Sequence, residues 1–339
     1  MQSLNRPVAR TDYGFWARVG HFRSHTWVKF LIRRVISLAF ILIVLVFATF
    51  IMVRLIPGDP GRNALGISVT DAQVRLLDHQ LGLDQPIPVQ FARYGFNLLH
   101  GNLGTSFTFD GEPVNQLISQ RIGSSLQLAS TSLVVLLLVS IPAGMLAGGL
   151  TKENRHRWWE VAFIGSTSVF GAIPEYVTGT FLAFVFAVTL RLLPVAGADE
   201  WQSLVLPVAA ISIRPIAILT RLVRVETINV LASDYVRTAR SKRLPAYLLY
   251  YRHVLPNVLT GALTVGGSIF ADLIGGAVVV ENVFNRVGLG TALVAAVLGR
   301  DYTVIQGIIL LLGATVVIVN AAVDVLLALV NPRSISAQA

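Results

Sequence analysis

The sequence predicts an all-α integral membrane protein with six transmembrane helices and a small extracytoplasmic insertion after the first. Three observations lead there. Of the 339 residues, 54% are hydrophobic and only 13% charged, roughly half the charge of an ordinary soluble domain. Several uncharged runs reach the roughly 20 residues that a helix needs to cross hydrocarbon. Lys and Arg gather in alternate connections between those runs, as the positive-inside rule asks of a multi-pass chain. The net charge of +9 therefore sets topology and points to no nucleic-acid partner. The chain has no cysteine, which removes a disulfide framework, a thiolate metal site and thiol chemistry.

Residues 1–34 form a basic cytoplasmic tail, with Arg6, Arg10, Arg18, Arg23, Lys29, Arg33 and Arg34 interleaved with Phe15, Trp16, Phe22 and Trp27. Residues 35–53 are the first span. The run ends in Arg54, Pro57, Gly58 and Asp59 rather than in the small residues of a cleavage site, so it reads as an uncleaved anchor. Residues 54–121 are a polar excursion, broken by Pro57, Gly58, Pro60 and Gly61, with a short helix at 70–81. The second span covers about 124–150, where Gly144 and Gly148 make a small face for close helix packing. The third, about 161–190, is interrupted by Pro174 and Glu175. The fourth, about 202–222, is broken at Arg214-Pro215. The fifth, about 257–280, carries Gly267, Ala271 and Gly275 four apart. Residues 281–303 read as a loop, the sixth span follows at about 304–330, and 332–339 is a second cytoplasmic tail.

With the N-terminus inside, the inner segments hold seven Lys/Arg before the first span, three at 152–157, seven at 221–257 and Arg333. The outer segments hold five at 54–121, offset by six acids, and then Arg191, Arg286 and Arg300. The bias is consistent over six spans and puts both termini in the cytoplasm.

Little catalytic chemistry is available. Lys29, Lys152 and Lys242 are the lysines, and none closes a Gly-rich phosphate loop. The six histidines are scattered without metal-ligand spacing, and no serine sits in a nucleophile elbow. No catalytic residue, metal or cofactor is expected in this chain. Charged residues within or at the ends of spans are expensive in lipid and mark function or pairing. Glu175, Arg214, Asp272 and Glu281 are therefore candidates for a path or gate, with structural pairing or helix-end placement equally open for each.

The connection at 224–256 is the unusual one. Residues 233–256 carry Arg237, Arg240, Lys242, Arg243 and Arg252 between two apolar runs. Each such charge costs about 2.5–3.5 kcal/mol at the centre of a membrane helix, so the stretch lies outside the bilayer. Val236, Ala239 and Leu244 space apolar positions among the charges, and Pro245 can open a second short helix. A helix, a break and a helix on a membrane face form a shape suited to a partner's grip.

This stretch resembles the cytoplasmic loop of type I ABC importer permeases, whose general pattern is Glu-Ala-Ala-x3-Gly-x9-Ile-x-Leu-Pro. Aligned on Leu255-Pro256, Ala239 falls on the second Ala, while Arg237, Thr238, Arg243 and His253 replace Glu, the first Ala, Gly and Ile. The variant of the dipeptide, oligopeptide and nickel branch is closer. Asp234-Tyr235-Val236-Arg237-Thr238-Ala239-Arg240-Ser241-Lys242 matches it, and Arg243 then stands where Gly is usual. Other segments are similar to the same branch: Pro57-Gly58-Asp59-Pro60, Leu81-Gly82-Leu83-Asp84 with Pro86-Ile87-Pro88-Val89-Gln90, Gly101-Asn102-Leu103-Gly104, Gly275-Gly276-Ala277 through Glu281, Arg300-Asp301-Tyr302, and Asn331-Pro332-Arg333. The long 54–121 segment looks like the B-type member of a permease pair.

The resemblance implies the type I importer fold over 122–331 and a place in a bacterial inner membrane. It implies a second homologous permease, two cytosolic ABC ATPases that hold ATP and Mg, an extracytoplasmic substrate-binding protein, a peptide substrate and surrounding lipid. On this reading Asp234, Tyr235, Val236, Arg237, Thr238, Ala239, Arg240, Lys242 and Arg243 couple the chain to an ATPase. Tyr235, Val236 and Ala239 would be an apolar anchor, and Arg237 and Arg240 would pair with acids of the ATPase groove. Nickel, a glycoside or another small solute is the alternative cargo. An ion-coupled carrier would need mirrored broken spans, which the two halves do not display, and a membrane scaffold would not need the basic loop.

Overall fold

The computed structural model describes residues 13–55, 84–151, 157–197 and 201–330, with single positions at 70, 72 and 79. The helix expected at 70–81 falls almost wholly outside them, as do the break at 57–60, most of the basic turn at 152–157 and both chain ends. Among the described residues the chain is helical, and its only strand-like pairing is one bridge between Thr105 and Pro113.

Five helices are long and apolar enough to cross a membrane, and a bent pair brings the number to six if it counts as one span. Helix α1 covers Tyr13–Leu55, with its apolar part at Ile32–Met52. Helix α2, Ile87–Leu99, opens on Pro88 within its first turn. It lies against α1 through Phe91, whose ring is 5.7 Å from Phe47 and 5.1 Å from Phe50. Helix α3, Val114–Leu150, starts well before the apolar run. Its first turns carry Asn115, Gln116 and Gln120 outward and bury Val114 and Leu117 inward, so amphipathic turns extend the helix beyond what hydropathy alone marks.

The third span is not one straight helix. Helices α4, Arg157–Ala172, and α5, Glu175–Leu182 with a π-helical continuation Ala183–Thr189, meet at 93°. Pro174 lacks an N–H and drives Ile173 out of helical geometry. The Pro174 carbonyl restarts the chain by accepting from the Thr178 amide at 3.1 Å and the Thr178 hydroxyl at 3.2 Å.

The fourth span corrects the sequence reading in the other direction. Helix α6 runs unbroken over Gln202–Ala232 with Pro207 and Pro215 inside it. Membrane helices tolerate proline where neighbouring helices support the backbone, and α3 does so beside Pro215, where the Ser140 hydroxyl donates to the Ile216 carbonyl at 3.4 Å, although the Ile211 carbonyl loses its helical donor. The helix also continues ten residues beyond 222, because Val223, Thr227, Val230 and Leu231 keep one stripe buried while the charges take other faces. The basic connection therefore begins at Ser233, not at 224. Helix α7 is Asp234–Ser241 and α8 is Ala246–Leu249. A π-helical turn at Tyr250–Val254 leads into α9, Leu255–Val283.

Residues 281–303, read as a loop, contain a ten-residue apolar helix α10, Leu289–Leu298. It is too short to span, and it buries Leu289, Ala292 and Ala296 in a cluster with Val114, Leu117, Val304 and Ile308. Helix α11, Tyr302–Val330, follows. Helices α3, α6 and α9 form the centre, α4 and α5 flank α6, and α11 joins α9 to α1. An Arg34–Asp324 ion pair ties α1 to α11.

The α3–α6 contact depends on missing side chains. A Cβ at Gly144 would lie 2.7 Å from the Thr220 carbonyl, and one at Gly148 would lie 2.8 Å from Thr227. On α9 the expected small series is split: Gly267 packs against Val323 of α11, whereas nothing lies within 4 Å of a Cβ at Gly275.

Candidate functional site

Two places carry the residues singled out in the sequence. The first is α7. Ser233 is extended, with ψ 151°, and turns the chain off the end of α6. Asp234 occupies the first turn and Arg240 the last, matching the sign of the helix dipole at both ends. Val236 and Ala239 are buried in the main core cluster with Val230, Leu249 and Val254. They hold α7 to its own bundle, so the apolar anchor imagined for a partner is split. Tyr235 faces out, 46% exposed, and Tyr247 and Tyr251, 73% and 75% exposed, extend the aromatic surface beyond α7. Asp234, Arg237, Thr238, Arg240, Lys242 and Arg243 are all exposed. The outward face is thus cationic and aromatic, with an apolar underside fixed to the bundle.

Arg243 closes this helix in a left-handed turn. Its φ is +55°, and its amide donates to the Arg240 carbonyl at 2.9 Å. A non-glycine residue is disfavoured there by about 1 kcal/mol. Arg243→Gly is therefore expected to leave uptake within about twofold of the native rate. A large loss in that variant would show that the guanidinium, and not the turn, is needed.

Arg224, counted with the basic connection in the sequence, belongs to the bundle instead. It pairs with Glu160 of α4 at 2.6 Å, donates to Thr151 Oγ1 at 2.9 Å and sits over the Phe163 ring.

The second place is a cavity of about 560 Å³ lined by α5, α6, α9 and Val316 of α11. It gathers three of the four charged span residues: Glu175, Arg214 and Asp272. Arg214 Nη1 lies 3.4 Å from Glu175 Oε2. The 93° bend places Glu175 in the first turn of α5, and the unbroken α6 brings Arg214 opposite it.

Glu281 is elsewhere. It is 1% exposed and accepts from Ser125 Oγ at 2.6 Å and the Gly290 amide at 2.7 Å. Ser125 Oγ in turn accepts from the Leu289 amide at 2.9 Å. Glu281 therefore fastens the start of α10 to α9 and α3. Beside it Arg286, read from sequence as an outer-loop charge, is fully buried and donates to Gln127 Oε1 at 2.9 Å. Burial pulls its basicity below the ordinary arginine value, and the Glu281 carboxylate opposes that shift.

Asp301 was also missed as a site residue. Its Oδ2 accepts from Ser106 Oγ at 2.6 Å and from the Phe107 and Thr108 amides at 2.7 and 2.9 Å. Its Oδ1 caps α11 by accepting from the Val304 amide at 3.2 Å. An Asp just before an apolar helix is a legible cap, but its second partner set lies nearly 200 residues away.

The bundle thus sets three charges around one cavity and, apart from them, a short helix with a basic outer face. Family comparison agrees with that geometry. The family described as binding-protein-dependent transport system inner membrane component matches residues 140–336, and its N-terminal companion matches 27–129. The chain belongs to this permease family. The permease is 34% identical over 311 residues to a protein of Brucella suis biovar 1 that carries the name of a peptide transport system permease, covering 89% of this chain and 98% of the relative. It is 36% identical over 307 residues to the glutathione transport system permease protein GsiC of Salmonella paratyphi A, covering 90% and 98%. Its fold is that of the permease chain in an inward-facing MetNI methionine ABC transporter, with TM-score 0.52, 16% identity, and 64% of this chain and 97% of that chain covered. The type I importer fold expected from the sequence is the observed one.

Proposed function

We propose that this permease forms half of the translocation path of an ATP-driven peptide importer and is driven through α7. The observation that carries the reading is α7 itself: a short helix locked to the core by Val236 and Ala239 whose outward face carries Tyr235, Arg237 and Arg240 beside Asp234, Thr238 and Ser241. Arg237, Arg240 and Lys242 complement an acidic groove on an ATPase, and the rigid attachment to α6 passes any movement of that groove into the bundle. ATP and Mg are held by two such ATPase subunits in the cytoplasm. The cavity at Glu175, Arg214 and Asp272 lies on the path, a second homologous permease supplies the opposite wall, and an extracytoplasmic binding protein delivers the solute. A peptide cargo follows from the names of the relatives, which match along nine-tenths of the chain.

The test is affinity purification from the native membrane, comparing the natural chain with one in which 234–242 is replaced by Gly and Ser. ATPase chains and a second permease should accompany the natural chain, and the ATPases should be lost from the replacement. A natural chain that purifies alone under gentle extraction, or peptide uptake that continues without ATP hydrolysis, would refute the reading.

A further inference from the structure

The cavity between α5, α6 and α9 contains more charge than it neutralises. The Glu175–Arg214 contact is single and 3.4 Å long, against about 2.7–2.9 Å for a good charge-assisted hydrogen bond. The Arg214 side chain is half exposed. A guanidinium is a fork of several donors, so most of its capacity stays available to the cavity.

Asp272 lines the same space from α9 and is exposed. Among the described residues no hydrogen bond or ion pair reaches its carboxylate. A lone carboxylate at the depth of a span is costly against lipid, so this face meets water or a cation. Gly275 leaves open space beside it. Across the cavity, Pro215 cannot donate to the Ile211 carbonyl four residues earlier, which frees one more acceptor on a lining residue. Ile218, Ile269 and Leu273 make the remaining wall apolar.

This is the complement of a small zwitterion with an apolar body. We infer that Asp272 receives the free ammonium group of the solute and Arg214 its carboxylate, released in part from Glu175. Asp272 is then a specificity-determining contact inside the permease, acting after the binding protein has let go. The inference rests on the peptide-importer reading and names the chemistry of its path.

The test uses the whole importer in proteoliposomes: this chain, its partner permease, the ATPases and the binding protein. ATP-dependent uptake of a labelled dipeptide is compared with that of its N-acetyl derivative, both at concentrations that saturate the binding protein. Asp272→Asn should lower uptake of the free dipeptide at least tenfold while leaving that of the acetylated one within twofold, so the ratio between them collapses. Asp272→Glu should keep the ratio. Equal losses for both solutes in Asp272→Asn would mean a structural role and overturn the assignment, as would an unchanged ratio. If the native importer takes up neither peptide, the peptide reading itself fails, and the assignment falls with it. Native uptake with an insensitive Asp272 refutes the assignment alone.

Discussion

Asp301→Ala is expected to cost the protein about 4 kcal/mol and to lower its melting temperature by roughly 10 °C. The carboxylate is fully buried and accepts from one hydroxyl and three amides. Hydrogen bonds to a charged acceptor contribute about 1.5–3 kcal/mol each, and donors left behind in a buried site add a desolvation penalty. Those donors lie on two pieces of chain, the 105–109 turn and the start of α11, so the loss should also be seen locally. Limited proteolysis should cut the 101–113 segment faster in the variant, because that segment would open without global unfolding. Asp301→Asn keeps the shape and part of the acceptor set, and should lose about half as much. A melting point within 2 °C of native for Asp301→Ala, with a threshold of about 1 kcal/mol, would mean the loop is held by its other contacts.

Val236→Asp is expected to abolish uptake, with a fall of at least 100-fold, while the chain still inserts in the membrane. Val236 has no exposed surface and packs among apolar neighbours. A carboxylate forced into that site without a partner costs several kcal/mol. An eight-residue helix cannot resist such a penalty, since isolated helices shorter than about 12–15 residues are marginal. Helix α7 should then leave the bundle, and the ATPases should no longer co-purify. None of the spans is touched, so membrane extraction should recover normal amounts of the chain. Uptake within tenfold of native would show that transport does not depend on this docking.

These two predictions also mark where sequence reasoning succeeds. The basic run at 233–256 is legible because charge and lipid exclude each other, and a charge cluster between apolar runs has one place to go. The number of spans is legible for the same reason. The cap at Asp301 is legible as a cap alone, and the inward turn of Val236 and Ala239 follows only once the neighbours of α7 are known.

Proline was the least reliable mark. Pro174 and Pro215 both stand in apolar surroundings, yet the helix breaks with a 93° turn at the first and continues unbroken through the second. The difference is set by what packs nearby, since α3 presses along α6 on both sides of Pro215 while α4 and α5 take separate positions beside α6. The ten-residue helix α10 was hidden because it is too short to span and too apolar to look like a surface element.

By itself the sequence determined that this chain lives in a bilayer, that it crosses about six times, and that it carries a basic connection which cannot lie in lipid. Those are one-dimensional properties, set by the transfer free energy of each segment between water and lipid. Tertiary structure alone decided which charges share a cavity and which are sealed in the frame. Glu175, Arg214 and Asp272 come from three different helices and share one cavity because α6 stays unbroken and the chain turns by 93° into α5. Glu281, chemically identical to Glu175, is drawn instead to Ser125 and the Gly290 amide. A buried charge goes to the donors the fold brings within reach, and those are not neighbours in the chain.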